Sequence, residues 1–282
     1  MVFRKNLTAI LVASFTLFVS CDQGEVEKTT VKWHDITLSL KNYRIFFGHQ
    51  SVGGEIIKGV EELVSHDGDH DLTVIEIDGR PIPDGGQGIF HDHLGKNEFP
   101  DTKNAAFTKV VSDAKGKIDI AFFKYCFIDI NDRTDVNRMF TRYRDTMAEL
   151  KRAYPNVTYI HVTAPLTTVQ TGPKAWIKRV LGRPLGGYVE NRKRNEYNDL
   201  LRRQYMGKEP LFDLAAVEAR FPDGKPSTYE YEGKYYYTLN TMYTYDGAHL
   251  NERGRIKVAD ELLVFLSKLA EKRTVMSNSY RQ

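Results

Sequence analysis

A three-layer α/β/α sandwich on a parallel, flavodoxin-like sheet is the fold this sequence predicts. Three observations carry it. Short runs of β-branched and aromatic residues alternate with amphipathic stretches of helical period. Every residue of the run Ile118–Phe123 but Asp119 is apolar, close to what a strand covered on both faces requires. The chain has 282 residues and no internal repeat, enough for one domain with a sizeable core. Strands that alternate with helices pair in parallel, and such sheets place their sites at the carboxyl ends of the strands.

The first strand is expected at Arg44–Phe47 and its helix at Val52–Ser65, where Ile56, Ile57, Val60 and Leu63 share a face. Leu72–Ile77 reads as the second strand, Ala105–Ala114 as a short helix and Ile118–Phe123 as the central strand. Met139–Tyr154 is an amphipathic helix stopped by Pro155. Val157–Val162 follows as a strand, Glu190–Tyr205 as a charged helix, Leu211–Leu214 as a short strand and Arg253–Ala270 as the closing helix. Three connections (79–104, 166–187 and 222–245) exceed ordinary loop length and are read as walls of a substrate cleft.

The amino terminus carries a different signal. Arg4 and Lys5 precede an apolar run from Leu7 to Ser20, the length of a signal-peptide core and too short for a membrane span. The run ends in Leu17-Phe-Val-Ser-Cys21, which looks like a bacterial lipobox, so residues 1–20 are expected to be removed and Cys21 to carry a lipid anchor. Residues 21–40 read as a polar tether, 41–272 as the catalytic domain and 273–282 as a tail. The chain has only two cysteines, so an exported protein without an internal disulfide framework is expected, held at the periplasmic or cell-surface side of a membrane. Loss of Arg4 and Lys5 takes the formal charge from +3 to +1, a balance that argues against nucleic acid as partner.

The chemistry concentrates in two segments. Asp246-Gly-Ala-His249 sets a carboxylate and an imidazole three residues apart, so one short turn supplies a general base and the group that fixes its tautomer. Tyr43-Arg-Ile-Phe-Phe-Gly-His-Gln-Ser51-Val-Gly-Gly54 reads as strand, turn and helix. It places the Ser51 hydroxyl at a strand's carboxyl end, beside the positive end of a helix. Each has a plainer reading when taken singly: Ser51 as the cap of the helix that begins near Val52, and Asp246-Gly247 as a turn.

Together the two segments resemble the SGNH (GDSL-type) hydrolases, over roughly residues 43 to 268. The resemblance implies Ser51 as nucleophile, His249 as general base, Asp246 as its partner, and no cofactor. The family's Gly-Asp-Ser is here Gly48-His49-Gln50-Ser51. It also implies oxyanion donors after the second and third strands. Gly95 and Asn97 are candidates for the first, with Gly88 behind them. For the second, the family's Gly-x-x-Asn overlays Cys126-x-x-Asp129, where an ionised Asp129 cannot donate, so Asn131 or Asn97 is the candidate.

The resemblance points to an exported serine esterase that takes an acyl group, acetyl above all, from a polysaccharide or other glycan. A lipid or thioester hydrolase with the same triad and a glycan-binding lipoprotein whose hydrolase site has decayed are the alternatives. Seven tyrosines between 229 and 245, on a hairpin turning at Gly233, and Trp176 in a long loop offer aromatic faces for sugar rings; Trp176 and Tyr236 are the candidates. His91-Asp92-His93, with His49 as a possible third ligand, has the look of a metal set but no fixed acidic partner. It is read as substrate contact or loop structure, and no metal is assigned.

Overall fold

The computed structural model describes residues 33–66, 72–183 and 185–279. The leader, Cys21 and the first part of the tether lie outside them. Among the described residues no helix is long and apolar enough to cross a membrane.

Six strands form one parallel sheet: β1 Arg44–His49, β2 Val74–Glu76, β3 Gly88–His93, β4 Ile120–Phe123, β5 Thr158–Val162 and β6 Leu211–Phe212, in the order β2-β3-β1-β4-β5-β6. β1 pairs β3 with Phe47 opposite His91, and β4 with Phe47 opposite Phe122. The chain leaves β1 toward one edge and β4 toward the other, so the loops after these two central strands part there. That opening is where such a sheet holds a ligand.

Alternate strand residues supply two cores. Ile45, Phe47, Ile89, Ile120, Phe122 and Ile160 face helices α1 Trp33–Leu40, α2 Val52–His66, α7 Leu214–Ala219 and α8 Glu252–Ser279. Phe46, Phe90, Ala121, Phe123 and Tyr159 face α3 Pro100–Asp113, α4 Val136–Ala153 and α6 Tyr188–Tyr205. Pairs of large apolar residues on both faces of every central strand are what make the three-layer arrangement the stable one.

The elements expected from sequence are present, with five differences. Leu214, read as the end of a strand, instead begins the unexpected α7, since Asp213 accepts from the Ala216 N–H and caps a helix there. β3 falls inside the stretch 79–104 read as a loop. Only Gly88-Ile-Phe is apolar there, and His-Asp-His follows, so the strand is set by its two neighbours rather than by its own pattern. The stretch 166–187 contains α5, Gly172–Val180. The end of the expected tether is α1, whose Ile36 and Leu40 are 1% and 0% exposed: an i, i+4 pair docked in the core. The closing helix runs through Ser279, into the expected tail. The hairpin does turn at Gly233, joining β7 Thr228–Tyr231 to β8 Lys234–Tyr237.

The contact that matters most for the site is α2 on α8, because one helix follows Ser51 and the other follows His249. A Cβ at Gly59 would lie 2.5 Å from the Arg255 carbonyl oxygen, so only glycine lets the two helices close to this distance. Arg255 then reaches Glu62 with its Nη2 at 2.6 Å. Gly59→Val is expected to lower stability by about 1–3 kcal/mol through overpacking. Urea denaturation measures this, and a change near zero would show that the helix pair has slack.

Candidate active site

Ser51 stands between β1 and α2 with a φ of 49°, in the left-handed region. That conformation costs a residue other than glycine about 1–3 kcal/mol and persists only where the surroundings impose it. They do so from three sides. Lys124, just past β4, donates its Nζ to the Gln50 carbonyl at 2.9 Å. Gln50 Nε2 donates to the carbonyls of Leu94 and Gly95 at 3.3 and 3.2 Å. The Gly53 and Gly54 N–H groups close onto the Gln50 and Ser51 carbonyls at 3.0 and 2.7 Å. A Cβ at Gly53 would meet His49 Cβ at 2.2 Å, so the imidazole is tucked beneath the first turn of α2.

Against this serine the loop before α8 sets His249 and Asp246. His249 Nε2 lies 2.7 Å from Ser51 Oγ, and its Nδ1 lies 2.7 Å from Asp246 Oδ2. With Nδ1–H donating to the carboxylate, Nε2 is left to accept the hydroxyl proton. Asp246 Oδ1 also accepts from the Ala248 and His249 N–H groups, each at 2.8 Å. Partial desolvation opposes ionisation, but the hydrogen bonds from His249 and Ala248 outweigh it and hold the carboxyl at about 2. Phe127 meets the imidazole edge-on at 5.5 Å between ring centres, and Tyr245 stacks along it at 6.0 Å. The side chains of His249 and Asp246 are 32% and 41% exposed, so the row opens to solvent.

The candidate donors separate on inspection. Among the described residues neither the Ser51 nor the Gly95 N–H has a hydrogen-bond partner, and Gln50 ties their two turns together. Asn97 Oδ1 accepts from Lys103 Nζ at 3.0 Å. A lysine can only donate, so this contact leaves the Asn97 Nδ2 hydrogens free. Asn131 closes its own turn: its Oδ1 accepts from the Arg133 N–H at 3.0 Å, its own N–H donates to Thr134 Oγ1, and the turn they make leads into α4. Gly88 begins β3, at the opposite end of the sheet from Ser51.

Asp129, at the position of the family's asparagine, is buried against Lys103 and accepts from the Cys126 and Glu98 N–H groups at 2.7 and 2.9 Å. It is a clamp between the loops after β3 and β4.

Several residues around the triad carried no signal in the sequence. Glu55, one turn into α2, accepts from the Leu250 N–H at 2.6 Å and so fixes the backbone just past His249; burial raises its pKa. Lys124 is fully buried, and burial lowers its pKa. Glu218, on α7, accepts from the Leu166 N–H at 2.8 Å, and burial pushes it up to about 8 although the Leu166 bond and the nearby Lys124 charge pull the other way. Arg194 spans α6 to the site, donating to the Phe127 carbonyl at 3.0 Å and to Thr167 Oγ1 at 2.8 Å.

The histidines do not converge on a metal. His49 Nε2 and His91 Nδ1 are 3.1 Å apart, one donating and the other accepting. Burial, and then the Lys124 charge, hold His49 at about 2, and burial lowers His91. His93 is half exposed, with its Nε2 3.8 Å from Glu76. Among the described residues no group of three or more histidine, cysteine or acidic side chains is arranged to hold a metal ion. Nor do Trp176 and Tyr236 line one cavity. Trp176 stands exposed on α5, and Tyr236 packs on Tyr229 at 5.8 Å. The opening of about 510 Å³ between the start of α6 and the hairpin is lined by Arg183, Tyr188, Glu230 and Tyr231 among others, and not by the triad.

No family model matches the chain, and no curated protein sequence matches it. Among solved structures it is similar to a peptidoglycan O-acetylesterase, at 10% identity and a TM-score of 0.48, covering 86% of this chain and 97% of that one. It is similar to a carbohydrate esterase family 3 protein from Talaromyces cellulolyticus, at 12% identity and 0.44, covering 81% and 97%. A third is a lipolytic protein of the G-D-S-L family from Desulfitobacterium hafniense, at 7% identity and 0.42, covering 79% and 99%. Likeness at this level carries no argument about activity, which rests on the side chains above.

A carboxyl whose pKa rises on folding binds its proton more tightly in the native chain. Its stabilising contribution is therefore complete below the ordinary pKa and is lost as pH climbs through the raised one. For Glu218 that window runs from 4.5 to about 8. Glu218→Gln is expected to remove this part of the decline, so that wild type loses more stability across the window than the variant does. Parallel slopes in urea denaturation at acidic and mildly alkaline pH would contradict the assignment.

Proposed function

We propose that this chain is a serine esterase of the SGNH type that removes acyl groups, acetyl foremost, from a glycan. The observation that carries the reading is the continuous hydrogen-bonded row from Ser51 Oγ through His249 to Asp246, at 2.7 Å in each link. His249 Nε2 takes the hydroxyl proton as Ser51 Oγ attacks the ester carbonyl carbon, and Asp246 stabilises the imidazolium. The negative oxygen of the tetrahedral intermediate accepts from the Ser51 N–H, the Gly95 N–H and Asn97 Nδ2, helped by the amino-terminal end of α2. The intermediate collapses with cleavage of the bond between the acyl carbon and the sugar oxygen, and the imidazolium gives its proton to that departing oxygen, which leaves as a hydroxyl. Water, deprotonated by His249, then attacks the acyl-serine and frees the acid.

The openness of the site supports a bulky substrate. His249, Asp246 and Tyr245 are reachable from solvent, which suits a small acyl group presented on a polymer, whereas a long acyl chain requires a deep apolar channel. An export signal over residues 1–20 and a lipid on Cys21 belong to the same proposal, on the strength of the leader's sequence.

A fluorophosphonate probe is expected to modify Ser51, with the adduct absent in Ser51→Ala and strongly reduced in His249→Ala. Both variants should lose turnover of acetyl esters while keeping wild-type thermal unfolding. Full turnover in Ser51→Ala would overturn the reading. With nitrophenyl esters, rates should fall beyond acetyl; a rise toward long chains would move the substrate to a lipid. Asn97→Ala is expected to lower kcat by about 10²-fold with little change in KM, the signature of a lost oxyanion donor. An unchanged kcat would leave the oxyanion to the two backbone groups.

A further inference from the structure

Large exposed apolar side chains are scattered singly over most of the described surface, with one exception. Trp176, Ile177, Val180 and Leu181 are 66%, 50%, 65% and 60% exposed, and they occupy α5 and the residue beyond it. Their spacing of i, i+1, i+4 and i+5 makes one helical face. Ala175, on the other side, is buried and seats the helix on the domain. Lys178 is held down to Gln170 Oε1 at 2.9 Å, so the helix is fixed with its apolar face outward.

The charge of the segment is one-sided. From Val162 to Val189 the chain has no Asp or Glu, yet it carries Lys174, Lys178, Arg179 and Arg183. An apolar stripe with a tryptophan, bordered in the chain by cations alone, with Glu230 and Glu232 facing Arg183 across the opening beside it, has the chemistry of a helix that lies in the interface of an anionic bilayer. A sugar platform pairs an aromatic ring with hydrogen-bonding neighbours, whereas three of these four side chains are branched aliphatics.

We propose that α5 is a membrane-contact helix that seats its Trp176–Leu181 face among the acyl chains while Lys174 and Arg183 meet anionic headgroups. The proposal stands apart from the esterase reading and from any lipid on Cys21. Its consequence for the site is geometric. The loop that carries α5 is tied to the triad loop by the Thr168 N–H, which donates to the Gly247 carbonyl at 2.7 Å. A seated α5 therefore holds the Ser51–His249 row beside the bilayer surface.

The test uses the chain from Lys32 onward, which retains the whole described core from Ile36 to Ala270, with Trp33→Phe so that Trp176 is the only indole. Co-sedimentation with phosphatidylcholine vesicles containing phosphatidylglycerol is expected to pull the protein down and shift Trp176 emission to the blue. Phosphatidylcholine alone should bind more weakly. Ile177→Ser with Leu181→Ser should reduce the bound fraction about tenfold with unchanged thermal unfolding, since both side chains are exposed. Lys174→Glu with Arg183→Glu should abolish the preference for phosphatidylglycerol. No binding to either vesicle, or binding indifferent to the serine pair, would overturn the proposal. So would a blue shift elicited by soluble acetylated glycan without vesicle binding, or a serine pair that only converts a dimer to a monomer in sedimentation velocity.

Discussion

The hydrogen bond from Lys124 to the Gln50 carbonyl is the interaction on which the rest of the site depends. Ser51 needs a left-handed backbone to lift its hydroxyl off the end of β1, and a serine does not adopt that conformation unaided. The restraint comes from the neighbouring central strand, across the point where the sheet's connections part. A buried ammonium with one direct acceptor is costly to desolvate, which is why burial lowers its pKa. Two nearby carboxyls respond to that ammonium: the Lys124 charge pulls Glu55 and Glu218 down, against the burial that raises both.

Those carboxyls extend the restraint outward. Glu55 binds the backbone past His249, and Glu218 binds the backbone past β5, so the carboxyls that feel the Lys124 charge also hold the walls of the site. The neutral His49–His91 pair fills the space under the turn without adding charge beside the ammonium. Arg194 and the Lys103–Asp129 pair repeat the pattern on the other flank. The loops after β3, β4 and β5 are thus tied by buried ionisable side chains. Such ties are high-stakes: complete, they rigidify; with one member removed, they leave a charge stranded.

The parts of this structure that read from sequence are those with strong periodicity or a short local spacing. The helices of α4 and α6, the apolar β4 and the Asp246–His249 turn are of this kind, and Ser51 was findable because a strand, a glycine-rich turn and a helix follow one another. β3 was not, since two of its apolar residues sit among histidines and an aspartate and it is a strand because β1 and β2 flank it. Glu55, Lys124 and Glu218 were invisible for a related reason. A charged residue in an amphipathic stretch reads as a solvated face, and only the three-dimensional packing reveals that these three point inward.

The bond between Ser51 and His249 joins residues 198 apart in the chain. Everything between them, seven further strands and most of the helices, must be in place before the last helix can settle on α2 and bring the imidazole over the hydroxyl. Pairings so distant form late, after the local ones that shorten the loop to be closed. A chain emerging from its point of synthesis or export therefore carries a serine with no base for almost its entire length, and reactivity switches on only when its final stretch docks. The order of the polypeptide itself acts as a safety catch.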